Sequence, residues 1–185
     1  MHRLRKVFAL HVHNWQRIAE EHASVVWQTA YRLLRNQADA ADCFQEAFLA
    51  AFALSQRQPV RNVRALLLHL ATTRAIDQLR RRVRRVRHEA NDDGIDIVSA
   101  RPGPDADAQN LELAERLRAA IAQLPPQEAK VFCLRHFNDL SYREISKELT
   151  ITSGAVGVLL HRAKARLRYL LEPVEAKEKR LPYGT

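Results

Sequence analysis

From Leu111 to Leu124 apolar residues recur every three or four positions. Leu113, Leu117, Ala120, Ile121 and Leu124 share one side of a helix, while Arg116 and Arg118 turn away from it. Pro125-Pro126 ends that helix and suits the first turn of another. In the second, Val131 and Leu134 point inward, with Phe132 and Phe137 beside them. "NDL" (138–140) marks a turn. Ser141 and Glu144 then form the Ser-x-x-Glu capping pattern ahead of Ile145 and Leu149, which predicts a short helix from about 142 to 149. "TIT" breaks it, and Thr152 is placed to cap a last helix on which Val156, Leu160, Ala163, Leu167 and Leu170 or Leu171 share a face. Four helices, the last two joined by a tight turn, read as a small domain ending in a helix-turn-helix.

The first half of the chain is patterned differently. "NQADAADCFQEAFLAAFAL" (36–54) sets Phe44, Phe48 and Phe52 four residues apart as an expected core stripe, with Asp39 and Asp42 in a first turn whose dipole favours anions. A loop at 55–62 follows. Beyond it, Val63, Leu67 and Leu70 make one apolar line, and Leu68, Ala75, Ile76, Leu79 and Val83 make a second. A helix apolar on two sides is expected to be wedged between neighbours. Its third line is polar: Asn62, His69, Thr73, Asp77, Arg80, Arg84 and Arg87, interrupted by Leu66.

Composition supports an all-α reading: 46% of residues are hydrophobic and only 5 of 185 are glycine. The net charge of +9 asks for a polyanionic partner, and its distribution divides the chain. Residues 1–88 carry 16 Lys and Arg against 6 Asp and Glu, whereas 89–110 carry 1 against 6. That middle segment, "EANDDGIDIVSARPGPDADAQN", holds Gly94, Pro102, Gly103 and Pro104 and reads as a flexible acidic linker. The expectation is two small helical domains, 1–88 and 111–172, joined by the linker 89–110 and followed by a tail at 173–185. Cys43 and Cys133 sit inside apolar helical patterns and are expected to be buried thiols rather than a disulfide or zinc site. The N-terminal stretch lacks a signal-peptide core, and no run approaches the ~20 apolar residues of a membrane span, so a cytoplasmic chain without membrane insertion is expected. His11-x-His13 has no third metal ligand at suitable spacing, and neither a glycine-rich phosphate loop nor a nucleophile arrangement occurs. No enzyme, metal or cofactor is expected.

Two blocks resemble bacterial RNA polymerase sigma factors of the sigma-70 family. In "NQADAADCFQEAFLAAF", Asp39, Ala40, Asp42, Gln45, Glu46 and Phe48 match the core-polymerase-binding helix in order. In "VRALLLHLATTRAIDQLRRR", Leu67, Ala71, Asp77, Leu79 and Arg80 match the promoter-melting helix, and residues 124–171 resemble the domain that reads the −35 element. Two domains joined directly by a linker is the layout of the extracytoplasmic-function group. The resemblance implies a transcription initiation factor that directs core polymerase to promoters and performs no bond chemistry itself. It assigns core binding to Asp39, Asp42, Gln45 and Glu46. Capture of the −10 element falls to Arg57, Gln58, Arg61 and Asn62 in the loop, with Gln56 beside them, and to Arg64, His69, Thr73, Arg74, Gln78, Arg80 and Arg81 on the helix. Single-strand capture needs such a basic track and a base pocket. Contact with the −35 element is assigned to Thr152, Ser153, Ala155, Gly157, Val158, His161, Arg162, Lys164 and Arg166. Implied partners are core RNA polymerase, promoter DNA and an anti-sigma factor, with the free chain a monomer.

The departures from the family pattern are specific. Thr73 replaces the usual Asn and Leu66 the usual Trp. The last helix commonly runs Gly-Thr-Val-Lys-Ser-Arg-Leu, whereas here it runs Gly154-Ala155-Val156-Gly157-Val158-Leu159-Leu160. Each missing bidentate base contact is worth roughly 1–3 kcal/mol. This helix is therefore expected to read the −35 element weakly by base edge and to rely on phosphates and groove shape. A helix-turn-helix regulator acting on duplex DNA alone, and a protein that occupies polymerase without initiating, are the rival readings.

Overall fold

The computed structural model describes residues 12–92 and 106–172, all of whose regular elements are helices. α1 (Val12–Leu34), α2 (Gln37–Arg57) and α3 (Val63–Asp92) form the first domain; α4 (Ala106–Gln123), α5 (Pro126–His136), α6 (Tyr142–Glu148) and α7 (Ser153–Leu171) form the second. α3 and α4 extend into the segment read as linker, whose central residues 93–105 lie outside the described residues.

Local chemistry starts the helices where the sequence suggests. The Asn36 side chain accepts from the Asp39 N–H at 3.0 Å, and Asn62 caps α3 through the Ala65 N–H at 2.9 Å. Pro126 occupies the first turn of α5. Ser141 and Glu144 make a full capping box on α6, and Thr152 caps α7 through the Ala155 N–H at 3.1 Å. Arg35, Asp139 and Thr150 adopt positive φ at the α1–α2, α5–α6 and α6–α7 junctions. Thr150 is the costly one, because its branched Cβ crowds the left-handed conformation.

The core of the first domain is built from small residues. Ala40, Cys43, Ala47 and Ala51 form the buried line of α2, meeting Leu67, Ala71, Ala75, Ile76 and Leu79 of α3 and Val26, Ala30 and Leu33 of α1. The phenylalanines expected to be the core stripe flank this line: Phe44 and Phe48 are half-buried, and Phe52 is exposed beside Trp15, their ring centroids 5.6 Å apart. Alanines let α2 and α3 approach closely, which displaces the larger rings to the rim. Both cysteines are buried and free, and burial pushes each thiol up to about 12.

α3 is wedged, as its two apolar lines require, and one neighbour is the other domain. Ala65 and Leu68, both fully buried, belong to a cluster with Val131, Leu134, Leu140, Ile145, Val156 and Leu160. The domains therefore pack face to face along α3, which touches α4, α5 and α6. Asn138 locks the seam. The turn holding it is pressed against α1 and α3, leaving Asn138 2% exposed. Its Oδ1 accepts from Thr29 Oγ1 at 2.6 Å, and its Nδ2 donates to Thr72 Oγ1 at 3.0 Å.

Candidate polymerase and nucleic-acid interfaces

α2 presents its acidic side away from the core line. Asp42, Gln45 and Glu46 are exposed and Asp39 is half-buried. One turn on, Leu49 is 68% exposed, a large apolar side chain on the same face. Its position seven residues after Asp42 is the signal that could have marked it as part of this surface. Glu46 reaches across to Arg74 of α3, with Oε2 3.3 Å from a guanidinium nitrogen. Thus a residue expected to bind polymerase and one expected to hold promoter DNA form one half-exposed pair.

The residues expected to capture the −10 strand divide into two groups. Arg57, Gln58 and Arg61 in and beside the loop, and Arg81 on α3, are exposed, as is Gln56. Of the rest, Asn62, Arg64, His69 and Arg80 face the second domain, while Arg74 pairs with Glu46 of α2. Asn62 Nδ2 donates to Glu144 Oε1 at 3.2 Å, and Arg64 donates to the Asn138 carbonyl at 3.3 Å. Arg80 donates to the carbonyls of Ala122 and Leu124, at 3.2 and 2.7 Å, where α4 ends. The His69 Nδ1 lies 3.9 Å from Glu148 Oε2. Burial, then Lys130, holds that imidazole below its ordinary value, while burial and then Glu144 raise Glu148 above its own. Glu144 is instead held low, first by the hydrogen bonds from Ser141. Thr73 Oγ1 and Gln78 Oε1 are buried without a hydrogen-bond partner. A cleft of about 720 Å³ opens between the 58–62 loop, Leu66, His69 and Leu70 of α3, and Glu144, Lys147 and Glu148 of α6.

On α7 the buried line is Val156, Leu160, Ala163 and Leu167. Ser153, Val158, His161 and Arg162 are exposed, as is Thr152 in its capping role, while Ala155, Gly157 and Lys164 are half-buried. No crowding demands the two glycines. A Cβ at Gly154 would meet only its own cap, Thr152 Oγ1, at 3.9 Å, and one at Gly157 would meet Tyr142 Cε2 at an ordinary 3.7 Å. Arg166 differs from the other basic residues on this helix: its Nε is 3.0 Å from Oε2 of Glu128, whose side chain is 5% exposed. That Oε2 lacks hydrogen-bond geometry to any donor, so Arg166 serves as a counter-charge to a buried carboxylate. Tyr142, missed by periodicity because it begins α6, is 40% exposed beside Gly157 and carries the Arg135 guanidinium 5.9 Å above its ring.

Among the described residues no cluster of His, Cys, Asp and Glu could hold a metal, and no helix is long and apolar enough to cross a membrane.

Comparison with known proteins accounts for both halves of this arrangement. Residues 18–85 match the family description "Sigma-70 region 2" and residues 114–167 match "Sigma-70, region 4". The ECF RNA polymerase sigma factor SigE of Mycolicibacterium smegmatis is 34% identical over 156 residues, covering 84% of this chain and 60% of that protein. SigL of Mycobacterium tuberculosis is 31% identical over 156 residues, covering 83% of this chain and 86% of that protein. Among solved structures, CnrH in complex with the cytosolic domain of CnrY is similar in fold, with a TM-score of 0.58 at 20% identity over 90% of this chain and 93% of that one. RpoE in complex with the anti-sigma factor NepR from Bartonella quintana gives 0.54 at 21% identity over 86% and 98%. The chain belongs to the sigma-70 family, as a member of its extracytoplasmic-function group of RNA polymerase sigma factors.

Proposed function

We propose that this chain directs core RNA polymerase to promoters by dividing recognition between its two domains, as a cytoplasmic subunit with no catalysis or cofactor of its own. The acidic face of α2, with Asp39, Asp42, Gln45 and Glu46, docks on polymerase, and Leu49 adds an apolar anchor at its edge. The C-terminal end of α2, the 58–62 loop and α3 capture the unstacked −10 strand, the exposed arginines supplying the phosphate track and the cleft beneath the loop the space for a base. α7 approaches the −35 element with an open, nearly side-chain-free end, held by His161, Arg162 and Lys164 on phosphates.

The observation that carries this reading is the pairing, in one chain, of an exposed acidic helix with a basic helix and a capped helix-turn-helix. A repressor acting alone on duplex DNA has no use for the first. An anti-sigma partner is part of the proposal, because one similar solved structure is that of RpoE in complex with the anti-sigma factor NepR. The test is transcription by purified bacterial core polymerase on fragmented genomic DNA, with and without this protein, mapping RNA 5′ ends. New starts sharing paired upstream elements are expected. If active core gives no new starts in its presence, the reading fails.

A further inference from the structure

Away from the faces assigned to polymerase and promoter, a second cavity of about 380 Å³ lies where the end of α1, the later half of α3 and α4 meet. Small ligands are held in cavities of roughly 300–1,000 Å³. Three guanidinium groups line this one: Arg35 just past α1, Arg82 on α3 and Arg118 on α4. Glu115 is the one acid among its described lining residues, so three cations against one carboxylate leave a positive surplus. Arg118 is the informative member. Its side chain is 13% exposed, yet the carboxylate of Glu115 stands 3.7 Å away and is itself 71% exposed. Burial holds that guanidinium below its ordinary value; Glu115 opposes the shift, while the charges of Arg35 and Arg82 add to it. Like charges converge here instead of spreading into water, which is the mark of a site more than of a solvated face. The other two arginines are tethered at its edge. Arg82 donates to the Leu34 carbonyl at 3.5 Å, and the Arg35 guanidinium lies 5.3 Å over the Tyr31 ring. Beside the charges, Leu79, Val83 and Val86 make an apolar wall, with Val86 40% exposed at the rim.

We infer that this cavity binds a small phosphate monoester with an aliphatic body, the three guanidinium groups gripping the head and Leu79, Val83 and Val86 covering the chain. A guanidinium fork matches phosphate oxygens two at a time, and a dianion offsets the surplus that one carboxylate leaves. A DNA backbone fits the charge but not the shape, because its phosphates follow an open track and Arg118 is set back between helices. The inference stands apart from the promoter-directing reading, in which none of these three arginines takes part. It gives the chain a small-molecule input besides its macromolecular partners.

Calorimetric titration of the full chain with hexyl phosphate, inorganic phosphate and hexanol tests this. Hexyl phosphate is expected to bind at one site per chain, about tenfold more tightly than either half alone, and to raise the unfolding midpoint as a ligand of the folded chain does. Arg118→Gln and, separately, the exposed Arg82→Gln are each expected to weaken binding about tenfold. Arg84→Gln, on α3 but outside the cavity lining, should leave it unchanged. Val86→Ser should bring hexyl phosphate toward the affinity of inorganic phosphate without altering the latter. Equal affinity for the two phosphates in the wild type overturns the inference, and so does binding that neither Arg118→Gln nor Arg82→Gln weakens. Displacement of hexyl phosphate by single-stranded DNA at equal phosphate concentration assigns the arginines to nucleic acid instead. A lipid headgroup shares the ligand chemistry, so vesicles containing phosphatidic acid form the last arm. Vesicle binding that depends on Arg118, with none of free hexyl phosphate, moves the site to a membrane surface and overturns the inference as well.

Discussion

Leu68 sits on a helix of the first domain but is fully buried among residues of the second, so truncating it probes docking directly. Complete burial of a leucine side chain is worth about 1.5–3 kcal/mol, and Leu→Ala in a packed interior costs about 2–5 kcal/mol when the cavity stays open. A ceiling applies here that an ordinary core site lacks. Once the domains part, residue 68 faces water whether it is Leu or Ala, so the loss cannot exceed the free energy of docking itself. Leu68→Ala is therefore expected to lower stability by about 2–3 kcal/mol if docking is strong, and by the full docking energy if it is weaker. Leu67→Ala, one residue earlier and buried in the first domain's own core, has no such ceiling. Urea unfolding followed at the Trp15 and Trp27 signals of the first domain, and by helical circular dichroism for both, gives the two values. In Leu68→Ala the two probes should separate, as the second domain loses its support. If Leu68→Ala changes stability by less than about 0.5 kcal/mol, the level of an ordinary surface substitution, the seam does not hold the two domains together in solution and the reasoning fails.

Four further outcomes follow from the same geometry. Thr150→Gly relieves the left-handed backbone between α6 and α7 and should raise the unfolding midpoint by the equivalent of about 1 kcal/mol, whereas Gly at Thr152 should lower it through loss of the cap. Arg166→Met strands the buried Glu128 carboxylate and should cost about 1–3 kcal/mol, discounted because the arginine is half exposed, while Arg162→Met should leave stability nearly unchanged. Gly157→Lys should fold normally and steepen the salt dependence of −35 duplex binding by about one further phosphate contact; an unchanged salt slope would place this face away from DNA. Because His69 is held below 6.5 by burial, the unfolded chain binds a proton that the folded chain does not, so stability rises with pH through the window just below that value. His69→Gln should reduce this slope, with His136 adding in the same sense and the raised Glu148 opposing it on the acid side.

Much of the fold could be read from periodicity and caps. The capping box on α6, the Thr152 cap and the Pro126 start of α5 are local devices with fixed spacing, so short windows contain them whole. The two apolar lines on α3 also announced a helix with neighbours on both sides. Which neighbour filled the second side was not legible, because Leu68 meets Leu140 and Ile145 across more than seventy positions, and no local pattern encodes that pairing. Asn138 was hidden for a related reason: in a turn it reads as a solvated residue, and only tertiary packing makes it the buried hub. The α2 core misled because Phe44, Phe48 and Phe52 are spaced for burial, yet the alanines and Cys43 beside them permit the closer helix contact that wins. For the sites, residue type and position sufficed to nominate the basic side chains. Their engagement by carbonyls and carboxylates within the chain, and the apolar Leu49 and Tyr142 beside them, depended on three-dimensional proximity.

The vacant positions at the start of α7 have a consequence for change over time. A Cβ added at residue 154 or 157 makes only ordinary van der Waals contacts, with Thr152 and Tyr142 respectively, so a side chain can begin at either position without crowding the fold. On the promoter reading proposed above, a substitution at either position would alter which −35 sequences are favoured while leaving the helix in place, and these two positions are where an engineer would write a new address.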